Sequence, residues 1–188
     1  MKDKKRLFDA IEYAAQVHSG QFRKGVEVPF IIHPLRVAER LIRSGCSEEL
    51  AIAAVLHDVV EDTSAELPDI RKRFGERIAN LVDGASEPDK SLHWKVRKEN
   101  TIEYLSTANK DELILSLADK LDNLYSIKQD IEQFGSYVWE RFNSSRDDQK
   151  WYYESLRDIY ANHPGIKNLS MFAEYDALCN EIFAEVTV

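Results

Sequence analysis

Residues 51–60, Ala-Ile-Ala-Ala-Val-Leu-His-Asp-Val-Val, are apolar around nearly the whole circumference of a helix. A helix of that kind belongs at the centre of a domain. The same stretch carries His57 and Asp58 and runs straight into Glu61 and Asp62. On a continuous helix His57 and Glu61 share one face, and Asp58 and Asp62 share another. A carboxylate buried without a partner costs several kcal/mol, so these groups require a metal, a cation or an opening to a cleft. An imidazole beside a carboxylate suits a divalent ion of the Mn, Fe or Zn type. Taken alone, the segment also admits a plainer reading, in which the helix ends at Glu61 and its acids meet water.

A second apolar helix is interrupted in the same way. Leu113–Tyr125 (LILSLADKLDNLY) carries Asp119, Lys120, Asp122 and Asn123 among its leucines. Asp119 and Asn123 lie one turn apart on one face, so Asp119 is a candidate metal ligand and Asn123 a candidate hydrogen-bonding partner for a substrate. Lys120 and Asp122 read as a solvated pair. His33 follows the apolar run Phe30-Ile31-Ile32 at the start of a helix. His33, His57, Asp58 and Asp119 together offer two imidazoles and two carboxylates. That mixed set differs from an all-oxygen magnesium site and from a thiolate-rich structural zinc site.

The rest of the chain is consistent with helices. Seven Gly and five Pro in 188 residues are too few for the frequent turns of a β-sandwich. Amphipathic or buried helices are expected over 4–18, from Pro34 to Ile42, from a Ser47 cap to Val60, and over 68–74, 75–84, 95–107, 111–128, 147–162 and 169–185. Residues 86–94 are the most loop-like. The expected fold is all-α, a single helical bundle of about eight to ten helices spanning 1–188. No apolar run approaches the roughly 20 residues of a membrane span, and the first residues show no signal-peptide core, so the expected compartment is the cytoplasm. A net charge of −8 disfavours sequence-independent nucleic-acid binding. Cys46 and Cys179 have no Cys-x-x-Cys spacing and are expected to be reduced thiols.

These residues carry a resemblance. His33, His57-Asp58 and Asp119 resemble the His…His-Asp…Asp pattern of the HD-domain metal-dependent phosphohydrolases. More narrowly, Gln21-Phe22-Arg23-Lys24, Ile31-Ile32-His33-Pro34, Leu56-His57-Asp58-Val59-Val60-Glu61-Asp62-Thr63, Phe74-Gly75 and Leu117-Ala118-Asp119-Lys120-Leu121 to Asn123 resemble the hydrolase domain of RelA/SpoT proteins. Stand-alone versions of that domain are the small alarmone hydrolases, which include the metazoan SpoT homologues. The resemblance is strongest over 5–130, with 131–188 expected as C-terminal helices packing on that part. It implies an HD-domain fold and Mn(II)-dependent removal of the 3′-pyrophosphate from guanosine alarmones, giving GDP or GTP and pyrophosphate. One divalent ion, manganese or another transition metal, is implied on His33, His57, Asp58 and Asp119. Glu61 and Asp62 are implied as catalytic residues that orient or deprotonate the attacking water or protonate the departing ribose oxygen. Arg23, Lys24 and Asn123 match family residues at the nucleotide. Where the family commonly has Asp-Arg-Leu-His-Asn, this chain has Asp-Lys-Leu-Asp-Asn, which places Asp122 at the usual histidine. No synthetase domain follows, so a hydrolase unit alone is expected, as a monomer or homodimer.

Two further groups are candidates for substrate binding. Lys95 and Arg97 lie in the basic run His93–Lys98, which reads either as a closure over polyphosphate or as a solvated helix start. Arg146 and Tyr152 lie in an aromatic and basic stretch and match, loosely, an arginine and a tyrosine that small relatives place near the nucleotide. Trp151, Tyr153 and Leu156 read as core packing, and His18, His93 and His163 as structural or exposed. Two alternatives use the same site: an HD phosphohydrolase acting on an adenosine alarmone or on the 2′-phosphate of NADPH, or a non-catalytic nucleotide sensor.

Overall fold

Ser47 starts the helix around which the first half of the chain is built. Its hydroxyl accepts the Leu50 amide at 3.2 Å, and Glu48 and Glu49 sit at the positive end of the helix dipole. The structure, a computed structural model, describes residues 5–87 and 89–184. The expected helix ends at Lys4 and Glu185 and Pro88 of the 86–94 loop lie outside them. The chain divides into two compact units, residues 1–88 and 89–188.

The first unit holds α1 (Lys5–Val17), α2 (Ile32–Arg43), α3 (Glu48–Leu56), α4 (Val59–Asp62), α5 (Leu67–Phe74) and α6 (Glu76–Ala85). Every residue of α3 from Leu50 to Leu56 is buried, with α1, α2 and α6 packed against it. That is the environment which its all-round apolar surface demands. Gly75 turns the chain from α5 into α6 at a φ of +96°, a conformation that residues with a Cβ rarely adopt.

One expectation is corrected here. Residues 51–60 do not form one continuous helix: α3 ends at Leu56 and α4 begins at Val59. The cause is local. His57 Nδ1 lies 2.7 Å from the Ala54 carbonyl, the acceptor that the Asp58 amide would use in a continued helix. Asp58 sits at φ −97°, ψ −4°, and the chain restarts from it with the Asp62 amide bonded to the Asp58 carbonyl.

The second unit holds α7 (Trp94–Thr107), α8 (Lys110–Phe134), a 3-10 helix (Gly135–Arg141), α9 (Arg146–Asn162) and α10 (Ser170–Phe183). α8 runs six residues beyond the expected 128, up to Gly135. It packs against α10 and the 3-10 helix, while α9 packs against α7 and α10. Buried tyrosines help fill this core, and two of them have their hydroxyls satisfied. Tyr160 shares a hydrogen bond with Ser116 (2.8 Å), and Tyr175 donates to the Tyr153 carbonyl (2.9 Å). Tyr153 and Leu156 are buried as expected, and Trp151 is half-buried.

The protein is all-α: the described residues contain no strand, only an antiparallel bridge between Phe22 and Pro29. None of the described helices is long and apolar enough to cross a membrane. Cys46 and Cys179 are free thiols, and burial pushes that of Cys179 up to about 12.

α8 starts on a capping box that connects sequence to stability. Asn109 accepts the Asp111 and Glu112 amides, and the Glu112 carboxylate accepts the Asn109 amide at 2.8 Å. Replacing Asn109 with Ala is expected to lower the unfolding free energy by about 1 kcal/mol. Urea titration followed by helical circular dichroism measures this.

Candidate active site

His57 enters the site with its orientation already decided by the backbone. A carbonyl only accepts, so the 2.7 Å contact with Ala54 places the ring proton on Nδ1. In the neutral ring Nε2 is then a lone pair, and it faces Asp58 Oδ2 at 3.1 Å. His33, in the first turn of α2, brings its Nε2 to 3.6 Å from the same oxygen. The two imidazoles are buried, and their rings meet edge to face at 5.2 Å.

The chemistry of this trio fits a cation. Two acceptors 3.1 Å apart repel unless a proton or metal ion lies between them. Donors each about 2.1 Å from one ion, at angles near 90–110°, stand roughly 3.0–3.4 Å apart. The ligand atoms of His33, His57 and Asp58 all lie within 4.8 Å of one another, and they form a group that could hold a metal ion. Two imidazoles and a carboxylate suit a transition metal or zinc better than magnesium.

Glu61 and Asp62 follow on α4. Glu61 Oε2 accepts the Glu87 amide at 3.0 Å, from just beyond the C-terminus of α6. The Asp62 main-chain carbonyl accepts Gln21 Nε2 at 2.8 Å. Thr63 closes α4 by donating its hydroxyl to the Val59 carbonyl at 2.6 Å and accepting the Ala65 amide at 3.0 Å. The roles of Gln21, Glu87 and Thr63 were not legible in advance. Gln21 and Thr63 stood inside quoted motifs without a role, and Glu87 acts through its backbone amide, which no side-chain pattern reveals. Arg23 and Lys24 lie on the loop between α1 and α2. The Arg23 amide is bonded to the Val28 carbonyl, its guanidinium lies 5.9 Å from the centre of the Phe30 ring, and Lys24 is exposed.

The remaining candidates lie in the second unit. Asp119 is buried on α8 with both oxygens engaged: Lys120 Nζ donates to Oδ2 at 2.6 Å and Asn123 Nδ2 donates to Oδ1 at 2.8 Å. Burial opposes a charge on Lys120, yet the adjoining Asp119 carboxylate holds its ammonium well above the usual lysine range. The expected solvated pair of Lys120 and Asp122 is therefore corrected. Lys120 is the partner of Asp119, and Asp122 is itself buried. Lys95 rests its ammonium 3.0 Å from the centre of the Trp151 ring and lies 4.0 Å from Asp148. Arg97 is half-buried on α7. Arg146 donates to the Ala184 and Ile182 carbonyls at the end of α10. Tyr152 is buried, with its ring against Trp94. His18 is buried too, against Phe30, while His93 is exposed and caps α7.

The HD domain profile matches residues 10–150, most of the chain. The chain belongs to the HD-domain family. A guanosine-3′,5′-bis(diphosphate) 3′-pyrophosphohydrolase of Aquifex aeolicus is 40% identical over 120 residues, 63% of this chain but 17% of that protein. The chain thus spans less than a fifth of the length of that relative. The Drosophila melanogaster enzyme of the same designation, MESH1, is 37% identical over 126 residues, covering 65% of this chain and 70% of its own length. Among solved structures, a metazoan ortholog of SpoT that hydrolyzes ppGpp superposes with a TM-score of 0.78 at 28% identity. That match covers 96% of this chain and 97% of the other. The protein lmo0812 of Listeria monocytogenes EGD-e matches with a TM-score of 0.74 at 42% identity, over 80% of this chain and 98% of its own.

The Lys120–Asp119 pair yields a test in this HD protein. In the metal-free protein, Lys120→Met is expected to cost about 2–4 kcal/mol, because it leaves a buried carboxylate short of its cation. Adding Asp119→Asn should recover part of that loss, and a double-mutant cycle by chemical denaturation measures the coupling.

Proposed function

We propose that this chain is a metal-dependent phosphohydrolase that removes the 3′-pyrophosphate from guanosine alarmones, converting ppGpp or pppGpp to GDP or GTP. The observation that carries the reading is the His33, His57 and Asp58 trio, with the Glu61–Asp62 pair one turn further along the same segment. Support comes also from relatives bearing that activity in their names, including one of which this chain covers most. His33, His57 and Asp58 would hold the ion, and the sequence pattern supports Asp119 as its fourth ligand. Manganese is the proposed metal, and residues 1–188 are proposed to act as one hydrolase unit.

A bound divalent ion supplies Lewis-acid polarisation of a phosphoryl oxygen and activation of a water nucleophile. The protein's own groups do the rest. Water attacks the phosphorus attached to the ribose 3′ oxygen. That P–O bond breaks, pyrophosphate departs, and the ribose oxygen leaves with a proton as the 3′ hydroxyl. Glu61 and Asp62 are the proposed proton carriers, taking one from the water and delivering one to the ribose oxygen. The Glu87 amide donated to Glu61 Oε2 holds that carboxylate in one orientation. Arg23 and Lys24 are proposed to meet the base and phosphates, since a guanidinium both stacks on a purine and binds phosphate. Asn123 is proposed to contact the nucleoside, and Lys95, Arg97, Arg146 and Tyr152 to serve the nucleotide's outer groups.

The test is turnover of ppGpp with manganese, with products identified by mass, alongside pppGpp, an adenosine alarmone and NADPH. Release of pyrophosphate from ppGpp is expected. NADPH losing orthophosphate at far higher kcat/KM would replace the guanosine reading with another nucleotide. Tight nucleotide binding without any product would make the domain a sensor. Asp58→Ala is expected to abolish both turnover and manganese binding. Glu61→Gln should lower kcat by about 10²–10⁴-fold while manganese binding is kept.

A further inference from the structure

Gln21 performs no step in the reaction proposed above, yet its side chain spans two parts of the site. Nε2 donates to the Asp62 main-chain carbonyl at 2.8 Å. Because a carbonyl accepts and never donates, this contact settles which end of the amide is nitrogen. Oε1 consequently faces His18 Nδ1, also at 2.8 Å, and an amide oxygen likewise only accepts. The proton of His18 therefore sits on Nδ1. Its ring lies 4.8 Å from Phe30, and its Nε2 is buried with no hydrogen-bond partner among the described residues.

The backbone of Gln21 extends the bridge. Its amide donates to the His18 carbonyl at 3.0 Å, and its carbonyl accepts the Phe30 amide at 2.9 Å. Phe30 in turn accepts the His33 amide at its carbonyl, at 3.0 Å. One residue thus joins the end of α1, the entry to the helix that carries His33, and the last residue of α4. α4 has four residues, and a single helical turn has little stability of its own. The placement of Glu61 and Asp62 must come from tethers, and the Gln21 amide holds the end that bears Asp62.

We propose that Gln21, oriented by His18, is a positioning residue that holds the Glu61–Asp62 turn in register with His33 for the hydrolytic step. The proposal rests on the roles given to Glu61 and Asp62 above. A displacement on the order of 1 Å in such a constellation costs about 10²-fold in rate.

The experiment uses the full chain and four measurements: kcat, KM, manganese affinity by electron paramagnetic resonance, and thermal unfolding. Gln21→Met keeps the length of the side chain and removes both bonds. His18→Leu removes the donor to Gln21, whereas His18→Asn keeps an N–H where Nδ1 stood. Gln21→Met and His18→Leu are expected to lower kcat by about 10–100-fold, with KM and manganese affinity within about twofold of the parent. His18→Asn should restore kcat to within about threefold of the parent. Unchanged kcat in Gln21→Met overturns the proposal. So does a parallel loss of manganese affinity, or His18→Asn impaired as badly as His18→Leu. If Gln21→Met does not fold, the His18 pair decides by the same criteria. Glu61→Gln and Asp62→Asn separate the two levels. Full activity in both, or no turnover by the parent, removes the reading on which the proposal stands. Loss of activity in them, with Gln21→Met unaffected, removes the proposal alone.

Discussion

The 2.7 Å contact between His57 Nδ1 and the Ala54 carbonyl connects the fold to the chemistry. It takes an acceptor away from the helical ladder, and α3 stops at Leu56, four residues short of the expected Val60. It commits the imidazole proton to Nδ1 and turns Nε2 toward Asp58. The same bond thus ends an apolar helix and presents a candidate ligand. Because α3 is buried from Leu50 to Leu56, the candidate ligands His57 and Asp58 follow directly on a fully packed element.

Much of this was legible in the sequence, for identifiable reasons. The α3 segment declared itself by being apolar all round, and Ser47 by standing before two acids. Ionisable residues in otherwise apolar runs marked both candidate segments, since burial makes such residues expensive unless something compensates them. The break at His57 was not legible. Helical periodicity assumes that every carbonyl takes a backbone amide, and here a side chain intervenes. Lys120 was misjudged for a related reason. Next-neighbour residues on a helix point in different directions, and only the length and flexibility of lysine let it reach Asp119. The extension of α8 to Phe134 was missed because Gln129–Gln133 is polar apart from Ile131, with helix formers that periodicity does not detect.

The proposed substrate contacts were the least readable layer. Lys95 and Arg146 looked alike in the sequence, each a cation in a stretch of aromatic and basic residues, whereas Trp151 read as core packing. In the structure Lys95 lies over Trp151, whereas Arg146 satisfies carbonyls at the end of α10. A terminal carbonyl and a phosphate oxygen attract a guanidinium by similar chemistry, so residue type alone does not distinguish the two tasks.

The candidate ligands in the first unit owe their arrangement to peptide groups and apolar neighbours, and Asp119 is balanced by an ammonium from its own helix. Small zinc modules differ, because there the ion supplies the free energy of folding and its removal unravels the chain. On the proposed function, the polypeptide completes its architecture first and acquires its ion afterwards. Exchange of one transition metal for another would then alter reactivity without rebuilding the scaffold, leaving cellular metal supply as a means of setting catalytic output.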